Sequence, residues 1–269
     1  MVCRVCGAQA RPMFTERVLG RHDVAYFSCD GCGFLQTEAP YWLDEAYSRG
    51  IADADTGLLW RNLQMGTRIL PVLAYVTGVS GRFLDVSGGV GLLTRLLRDK
   101  GLDFYWSDPY TENVLARGFE AADHDRGFAA MTALEVLEHL EHPVEFVDGV
   151  MRDRGCRTLL FTTELWPEER PPGRDWWYFA FATGQHIAFY RRRTLEHIGS
   201  RLGLRLYSAS GLHMLTDRSP DPRAYALLAS YRGSRLAGRV VEKRLRGRTQ
   251  ADHEALLRAA AQTREPDGT

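Results

Sequence analysis

The 269-residue sequence predicts an α/β fold, a mostly parallel sheet with helices on both faces, preceded by a small zinc-ribbon-like module. Three observations carry that expectation. From Arg82 onward, short apolar runs alternate with amphipathic stretches of helical period, the pattern of strand–helix–strand crossovers. A glycine-rich turn, Ser87-Gly88-Gly89-Val90-Gly91, joins the first such run to the first amphipathic stretch. Four of the five cysteines stand as two closely spaced pairs near the N-terminus.

The chain divides into four parts. Residues 1–40 carry the paired cysteines. Residues 41–79 read as a helical linker or lid, because Trp42, Leu43, Ala46 and Tyr47, then Leu58, Leu59, Leu63, Ile69 and Leu70, recur at three- and four-residue intervals. Pro71 is expected to end or kink that helix, since it lacks a backbone donor. Residues 80–231 form the α/β core, and 232–269 a basic tail. Within the core, Arg82–Val86, Phe104–Trp106, Phe128–Leu134 and Arg157–Thr162 are predicted strands. Leu92–Asp99, Val144–Met151 and Thr194–Leu202 are predicted helices. A late strand pair is expected from Leu204–Ser208 and Tyr225–Ser230. The arginines after Tyr231 read as a solvated helix face, and Arg264–Thr269 as disordered.

Composition narrows the function. Lysine plus arginine equals aspartate plus glutamate at 34 each, so a dedicated nucleic-acid surface is not expected. No apolar run approaches the roughly 20 residues that span a bilayer. No basic segment followed by an apolar run opens the chain, so a cytoplasmic, reducing setting is expected.

Cys3-Arg4-Val5-Cys6-Gly7 and Cys29-Asp30-Gly31-Cys32-Gly33 repeat one pattern. Two residues between the cysteines let both thiolates of a pair address one ion from a tight turn, and the glycine permits the backbone that turn requires. Four thiolates match the tetrahedral preference of zinc and close its shell, so Cys3, Cys6, Cys29 and Cys32 are expected to hold a structural Zn2+. Cys156, just before an apolar run, reads as a small buried hydrophobe.

The turn after Val86 places Gly88, Gly89 and Gly91 between a strand and a helix, where backbone approaches a ligand closely. Asp108 closes the next strand, about 20 residues on, where a carboxylate accepts ribose hydroxyls. Further along, Ala133-Leu134-Glu135-Val136-Leu137-Glu138-His139-Leu140, with Pro143 following, resembles the Glu-Val-(Leu/Ile)-Glu-His signature of class I S-adenosylmethionine-dependent methyltransferases. The resemblance covers roughly residues 80–210. It implies a Rossmann-like, seven-stranded sheet with one antiparallel edge strand, and S-adenosylmethionine as methyl donor with S-adenosylhomocysteine as product. Carried over by position, Asp85, Gly89 and Gly91 match the glycine-loop motif, with Gly88 beside them and Ser87 standing where the family has its first glycine. Asp108, followed by Pro109, matches the ribose acid, and Glu135 the mouth of the cofactor pocket.

Trp176-Trp177-Tyr178-Phe179-Ala180-Phe181, then Gly184-Gln185-His186-Ile187-Ala188-Phe189-Tyr190, is expected to build the acceptor wall. The second segment is similar to a subgroup of bacterial methyltransferases found with carbohydrate and natural-product biosynthesis. With the cysteine pairs, the layout is also similar to zinc-containing sugar C-methyltransferases. His186 is the first candidate for the base that takes the acceptor's proton, because imidazole titrates near neutral pH. Tyr178 and Gln185 follow as positioning residues, then His139. The expected reaction is O- or C-methylation of a small molecule. RNA methylation with the zinc module gripping the nucleic acid, and a non-catalytic scaffold of the same fold, are the alternatives. The sequence leaves the oligomeric state open.

Overall fold

The computed structural model describes residues 1–47 and 56–262. Its N-terminal part contains β1 (Arg11–Val18), β2 (His22–Ser28), β3 (Leu35–Thr37) and the short α1 (Leu43–Ala46). The core follows with α2 (Leu58–Val76), β4 (Arg82–Val86), α3 (Leu92–Asp99), β5 (Asp103–Ser107), β6 (Ala130–Ala133), α4 (Pro143–Arg154), β7 (Thr158–Phe161), β8 (Ala188–Phe189), α5 (Arg192–Arg201), β9 (Arg205–Ala209) and β10 (Leu212–Thr216). Helices α6 (Pro222–Ala229), α7 (Tyr231–Glu242) and α8 (Thr249–Gln262) complete the described chain.

The central sheet has the order β5-β4-β6-β7-β10-β9. Its first four strands are parallel, and β10 runs antiparallel to both neighbours. Adjacent residues of one strand serve opposite cores, as a two-residue period requires. Phe83, Leu160 and Met214 face a core shared with α2, α3 and α6, whereas Leu84, Leu159 and Leu215 face one shared with α4 and α5. Helices therefore cover both faces.

The central sheet has six strands among the described residues, not the expected seven. Beside β5, the outer position is held by a single parallel bridge between Trp106 and Glu120, with hydrogen bonds from Trp106 N to Phe119 O and from Ala121 N to Trp106 O. The Glu120 carboxylate accepts from Asn113 Nδ2 (2.6 Å) and Gly118 N (2.9 Å). Such local bonding competes with a ladder, and the segment stops at one bridge.

The late strand pair is also corrected. Leu204–Ser208 falls largely on β9, but Tyr225–Ser230 lies in and at the end of α6, and the partner strand is β10. Asp221 caps α6 by accepting from Ala224 N (2.8 Å), and Pro222 opens the helix, a strong start signal. Ser210 and Gly211, at φ 53° and 74°, make the tight turn between β9 and β10 that a two-residue hairpin needs. Pro71 does not end α2, which continues to Val76 with Ile69, Leu70, Val72 and Leu73 fully buried. Burial of those side chains outweighs the roughly 3 kcal/mol that an interior proline costs.

The arginine-rich stretch is helical only as far as Glu242, and Arg244, Arg246 and Arg248 lie in the connection between α7 and α8. Asp252 of α8 is buried and accepts from Arg98 Nε and Nη2 and from Arg95 Nη2 at 2.7–2.8 Å, clasping α8 to α3. The exposed arginines Arg232, Arg235 and Arg239 lie on α7. Arg264–Thr269, expected to be disordered, lies outside the described residues.

The cysteine module is not a separate bead. Strand β8, from the segment expected to wall the acceptor site, pairs with β3 and completes a four-stranded antiparallel sheet, β1-β2-β3-β8. Trp42 Nε1 donates to Gly184 O at 2.8 Å and Thr194 Oγ1 to Cys32 O at 2.9 Å. Val5, Val24, Phe34 and Leu35 share one core with Leu84, Met131 and Phe161 of the central sheet.

Candidate active site and cysteine centre

Strand β4 is the point at which the chain's path through the sheet reverses, with β5 on one side and β6 on the other. Open α/β sheets bind ligands in the crevice at the carboxyl ends of strands at such a point. The loop after β4 lies there. Ser87, Gly89 and Gly91 have φ of 54°, 54° and 83°, the left-handed region that favours glycine. Ser87 thus accepts a strained backbone where the related family has glycine. A Cβ on Gly89 would meet no atom within 4 Å, so this side of the loop is open to a ligand. A Cβ on Gly88 would stand 2.8 Å from both Asp85 Oδ2 and Trp106 Cδ1.

Asp85 sits beneath the loop, buried, and accepts from Thr132 Oγ1 at 2.6 Å. Loss of solvent pushes its carboxyl up to about 7, with the charge of Asp108 adding to the effect. Asp108 stands just past β5 and braces the loop. Its Oδ2 accepts from Gly89 N (2.9 Å), and its Oδ1 from Tyr110 N (2.8 Å) and Thr111 N (2.9 Å). Oδ1 is thereby saturated and Oδ2 keeps one lone pair, so in this arrangement Asp108 can accept one ribose hydroxyl rather than two. Pro109 forms the exposed turn that sends the chain away.

Glu135 follows β6 at φ 53°. Thr162, just past β7, accepts from Glu135 N (2.9 Å) and donates to Glu135 Oε1 (2.6 Å). This strained, doubly tethered carboxylate borders the crevice, and strain of this kind gathers at functional positions.

The signature and the expected acceptor wall are bonded to each other. Ile187 N donates to Glu138 O (2.9 Å), and Tyr190 OH to Leu137 O (2.6 Å). His139 Nδ1 lies 3.0 Å from Gln185 O and 2.9 Å from the hydroxyl of Tyr47, and Gln185 Nε2 donates to Ala46 O (3.0 Å). His186 Nδ1 lies 2.7 Å from Tyr178 O, and its ring is 4.5 Å from the Tyr178 ring and 5.0 Å from that of His139. Burial lowers the pKa of both histidines; the neighbouring His139 lowers that of His186 further. Burial raises Tyr178 well above the phenol range, and the nearby Glu138 adds to this. All four expected acceptor-side residues, His139, Tyr178, Gln185 and His186, thus meet in one place.

Sequence reasoning passed over Glu138 as a site residue. It is fully buried, neither carboxylate oxygen has a hydrogen-bond partner, and desolvation pushes it up to about 7, with Glu135 adding and His186 opposing. Its place in the Glu-His signature was the available signal. Thr162 carried none, since it acts through Glu135 far along the chain, whereas Tyr47 belonged to the expected lid segment.

Of the aromatic run, Phe179 and Phe181 stack on each other (5.1 Å) and pack on Phe14 and Tyr26, so they are core. Trp177 is 73% exposed. It lines a cavity of about 770 Å³ together with Trp176, Glu164, Arg170, Pro172 and Asp175. Burial and the charge of Glu135 push Glu164 up.

At the N-terminus, the Sγ atoms of Cys3, Cys6, Cys29 and Cys32 lie within 4.8 Å of one another. Cys3 Sγ lies 3.6 Å from Cys32 Sγ, and Cys6 Sγ 3.4 Å from Cys29 Sγ. That is far beyond a disulfide bond of about 2.05 Å, and near the roughly 3.8 Å edge of a tetrahedron with Zn–S bonds of about 2.3 Å. All five cysteines are free thiols, and the set of four fits a closed, structural zinc site.

Fold and site together have the layout of a methyltransferase domain: a parallel sheet with a glycine loop and spaced acid at its switch point, and an antiparallel strand toward its edge. The chain belongs to the methyltransferase-domain family, whose profile matches residues 59–209, more than half of the sequence. A search of curated proteins finds no match. Among solved structures the chain is similar to TnmH (18% identity, TM-score 0.47, 65% of this chain and 60% of that one). It is similar also to DesVI of Streptomyces venezuelae (14%, 0.45, 62% and 99%). A further likeness is to magnesium protoporphyrin IX methyltransferase (ChlM) of Synechocystis PCC 6803 with bound SAH (14%, 0.40, 65% and 94%). The chain spans 60% of the length of TnmH. Among the described residues no helix is long and apolar enough to cross a membrane.

Proposed function

We propose that the protein transfers the methyl group of S-adenosylmethionine to an oxygen or carbon of a small molecule, a sugar or natural-product intermediate. The loop closed by the Gly89 N–Asp108 Oδ2 bond at the switch point carries this reading. Its open face at Gly89, the left-handed positions at Ser87, Gly89 and Gly91, and the N-terminus of α3 behind them suit an adenosyl ligand. The donor supplies an electrophilic methyl on a sulfonium, and the C–S bond breaks as the bond to the acceptor forms.

The chain's own residues supply position. Ser87 through Gly91 and Asp85 hold the donor side, Asp108 takes a ribose hydroxyl, and Glu135 stands at the mouth. Register between donor and acceptor can supply much of the acceleration. The cavity beside Trp177 has the size and mixed lining of a small-molecule site, with an aromatic face for stacking and Glu164, Arg170 and Asp175 for hydroxyl groups. The acceptor's proton is drawn off at the cluster around His186. Tyr178 and Gln185 hold that histidine and His139 through their carbonyl oxygens. Tyr47 brings the end of α1 to the same place, in keeping with a lid. A structural Zn2+ on the four cysteines holds β3, and through it β8 and the acceptor wall.

Calorimetry with S-adenosylmethionine and S-adenosylhomocysteine tests the reading. Binding of about −8 kcal/mol, a micromolar dissociation constant, is expected in the native chain and is weakened in Asp108→Asn and abolished in Asp108→Ala. Absence of binding to both ligands in folded, zinc-loaded protein leaves the non-catalytic scaffold as the better account.

A further inference from the structure

A second group of metal-ligating side chains lies apart from the cysteines. One nitrogen of each imidazole of His139 and His186 and a carboxylate oxygen of Glu138 lie within 4.8 Å of one another. The tautomers follow from the neighbours. A carbonyl oxygen can only accept, so Nδ1 of His139 donates to Gln185 O and Nδ1 of His186 donates to Tyr178 O. Nε2 is then the lone-pair nitrogen of both rings. Metal-binding histidines show this pattern, one ring nitrogen held by a carbonyl or carboxylate so that the other faces the ion. Glu138 is 0% exposed and both its oxygens lack partners, an arrangement that costs several kcal/mol unless something positive meets it. Two lone-pair nitrogens and a carboxyl without hydrogen-bond partners form a set that becomes acceptor-only once Glu138 gives up its proton, and such a set suits a cation.

We propose that Glu138, His139 and His186 bind a divalent first-row transition cation, and that its open coordination positions take the oxygen of the methyl acceptor. Two histidines and one carboxylate are the ligand set of ions that keep open positions for water or substrate, unlike the closed cysteine site. Bonds near about 2.1 Å require the three side chains to draw in slightly, a rotamer-scale adjustment. The ion acidifies the bound hydroxyl, whose proton passes to water. The oxygen then forms its bond to the methyl carbon, the C–S electron pair returns to sulfur, and one proton is released per turnover. His186 acts here as a ligand, and the ion rather than the imidazole favours loss of the proton. The role of the ion rests on the methyl-transfer reading; its presence does not, and cofactor calorimetry reports on that reading separately.

The test is a metal count on the full chain without substrate. Protein loaded with one equivalent of zinc is titrated with Mn2+, a hard ion ill suited to four thiolates, and free Mn2+ is read by electron paramagnetic resonance. One further equivalent is expected to bind, at least about 10-fold more weakly in Glu138→Gln and His186→Ala, and unchanged in Asp148→Asn on the exposed face of α4. Zinc content and far-ultraviolet circular dichroism report whether each variant has folded. Should the variants misfold, the native chain still decides between two ions and one. Native protein that takes up no Mn2+, Zn2+ or Co2+ beyond the cysteine-bound ion overturns the proposal, as does undiminished uptake in both folded variants.

Discussion

Replacing Gly91 with alanine perturbs the donor side at one atom. Gly91 caps the N-terminus of α3 at φ 83°, where an L-residue costs about 1–2 kcal/mol. Its new Cβ would stand 2.5 Å from Asn113 Oδ1 and 3.1 Å from both the nitrogen and the Cβ of Ala116. Asn113 is buried and its Oδ1 accepts from Ala116 N at 2.9 Å. Displacing it leaves a buried amide unpaired, a further cost of about 1–3 kcal/mol. Alanine recovers about 0.5–1 kcal/mol through the less flexible unfolded chain, so the net destabilisation is about 1–4.5 kcal/mol. Urea unfolding with linear extrapolation measures this directly. Because the same residue aims α3 at the crevice, S-adenosylhomocysteine should bind at least about tenfold more weakly, which is about 1.4 kcal/mol. Ser87→Gly relieves strain in the same loop and should instead raise stability, by up to about 1 kcal/mol. An unchanged urea midpoint and affinity in Gly91→Ala would refute the claim that left-handed backbone and contact with Asn113 hold this loop.

Three further outcomes are expected. Removing zinc with a chelator, or Cys32→Ser, should cost at least about 3 kcal/mol; this is less than the roughly 10–16 kcal/mol of zinc-finger peptides, because the module shares the core of the catalytic sheet. Calorimetric scanning with and without the chelator reads it, and unchanged melting would show that the cysteines carry no structural ion. His213, buried between Ser208 Oγ (2.8 Å) and Thr163 O (3.0 Å), has its pKa lowered to about 4 by desolvation. The unfolded chain, titrating near about 6.5, binds this proton first as pH falls, so stability should drop by about 3 kcal/mol between pH 6.5 and 4, a slope that His213→Gln removes. Asp252→Ala leaves the guanidinium of Arg98 short of its main partner and should cost about 3 kcal/mol; if α8 is clasped as described, amide exchange in Thr249–Gln262 rises first, and uniform protection would argue against it.

Much of the catalytic half is legible along the chain because its signals are local. Strand, glycine turn and helix follow one another over Arg82–Asp99, and each is read from periodicity and backbone preference within a few residues. The cysteine pairs are equally local, since two residues of spacing decide whether two thiolates can face one ion. Long-range pairing is not written this way. Strand β8 joins β3 across some 150 residues, which makes the expected acceptor wall and the cysteine module one structure, and its two residues have no strand signature of their own. The hairpin partner of β9 lay behind the brief Ser210-Gly211 turn, while the apolar Tyr225–Ser230 competed for the role until Asp221 and Pro222 set it as a helix. The outermost strand expected from the resemblance shrank to one bridge, because side-chain bonds of Glu120 and Asn113 took over locally. Asp108 was recognisable as the spaced acid, but only the folded loop shows that backbone amides occupy most of its lone pairs. Glu138, His139 and His186 are two neighbours and a residue nearly fifty positions away; spacing announces the pair, and only tertiary packing turns three side chains into one cluster of metal-ligating atoms.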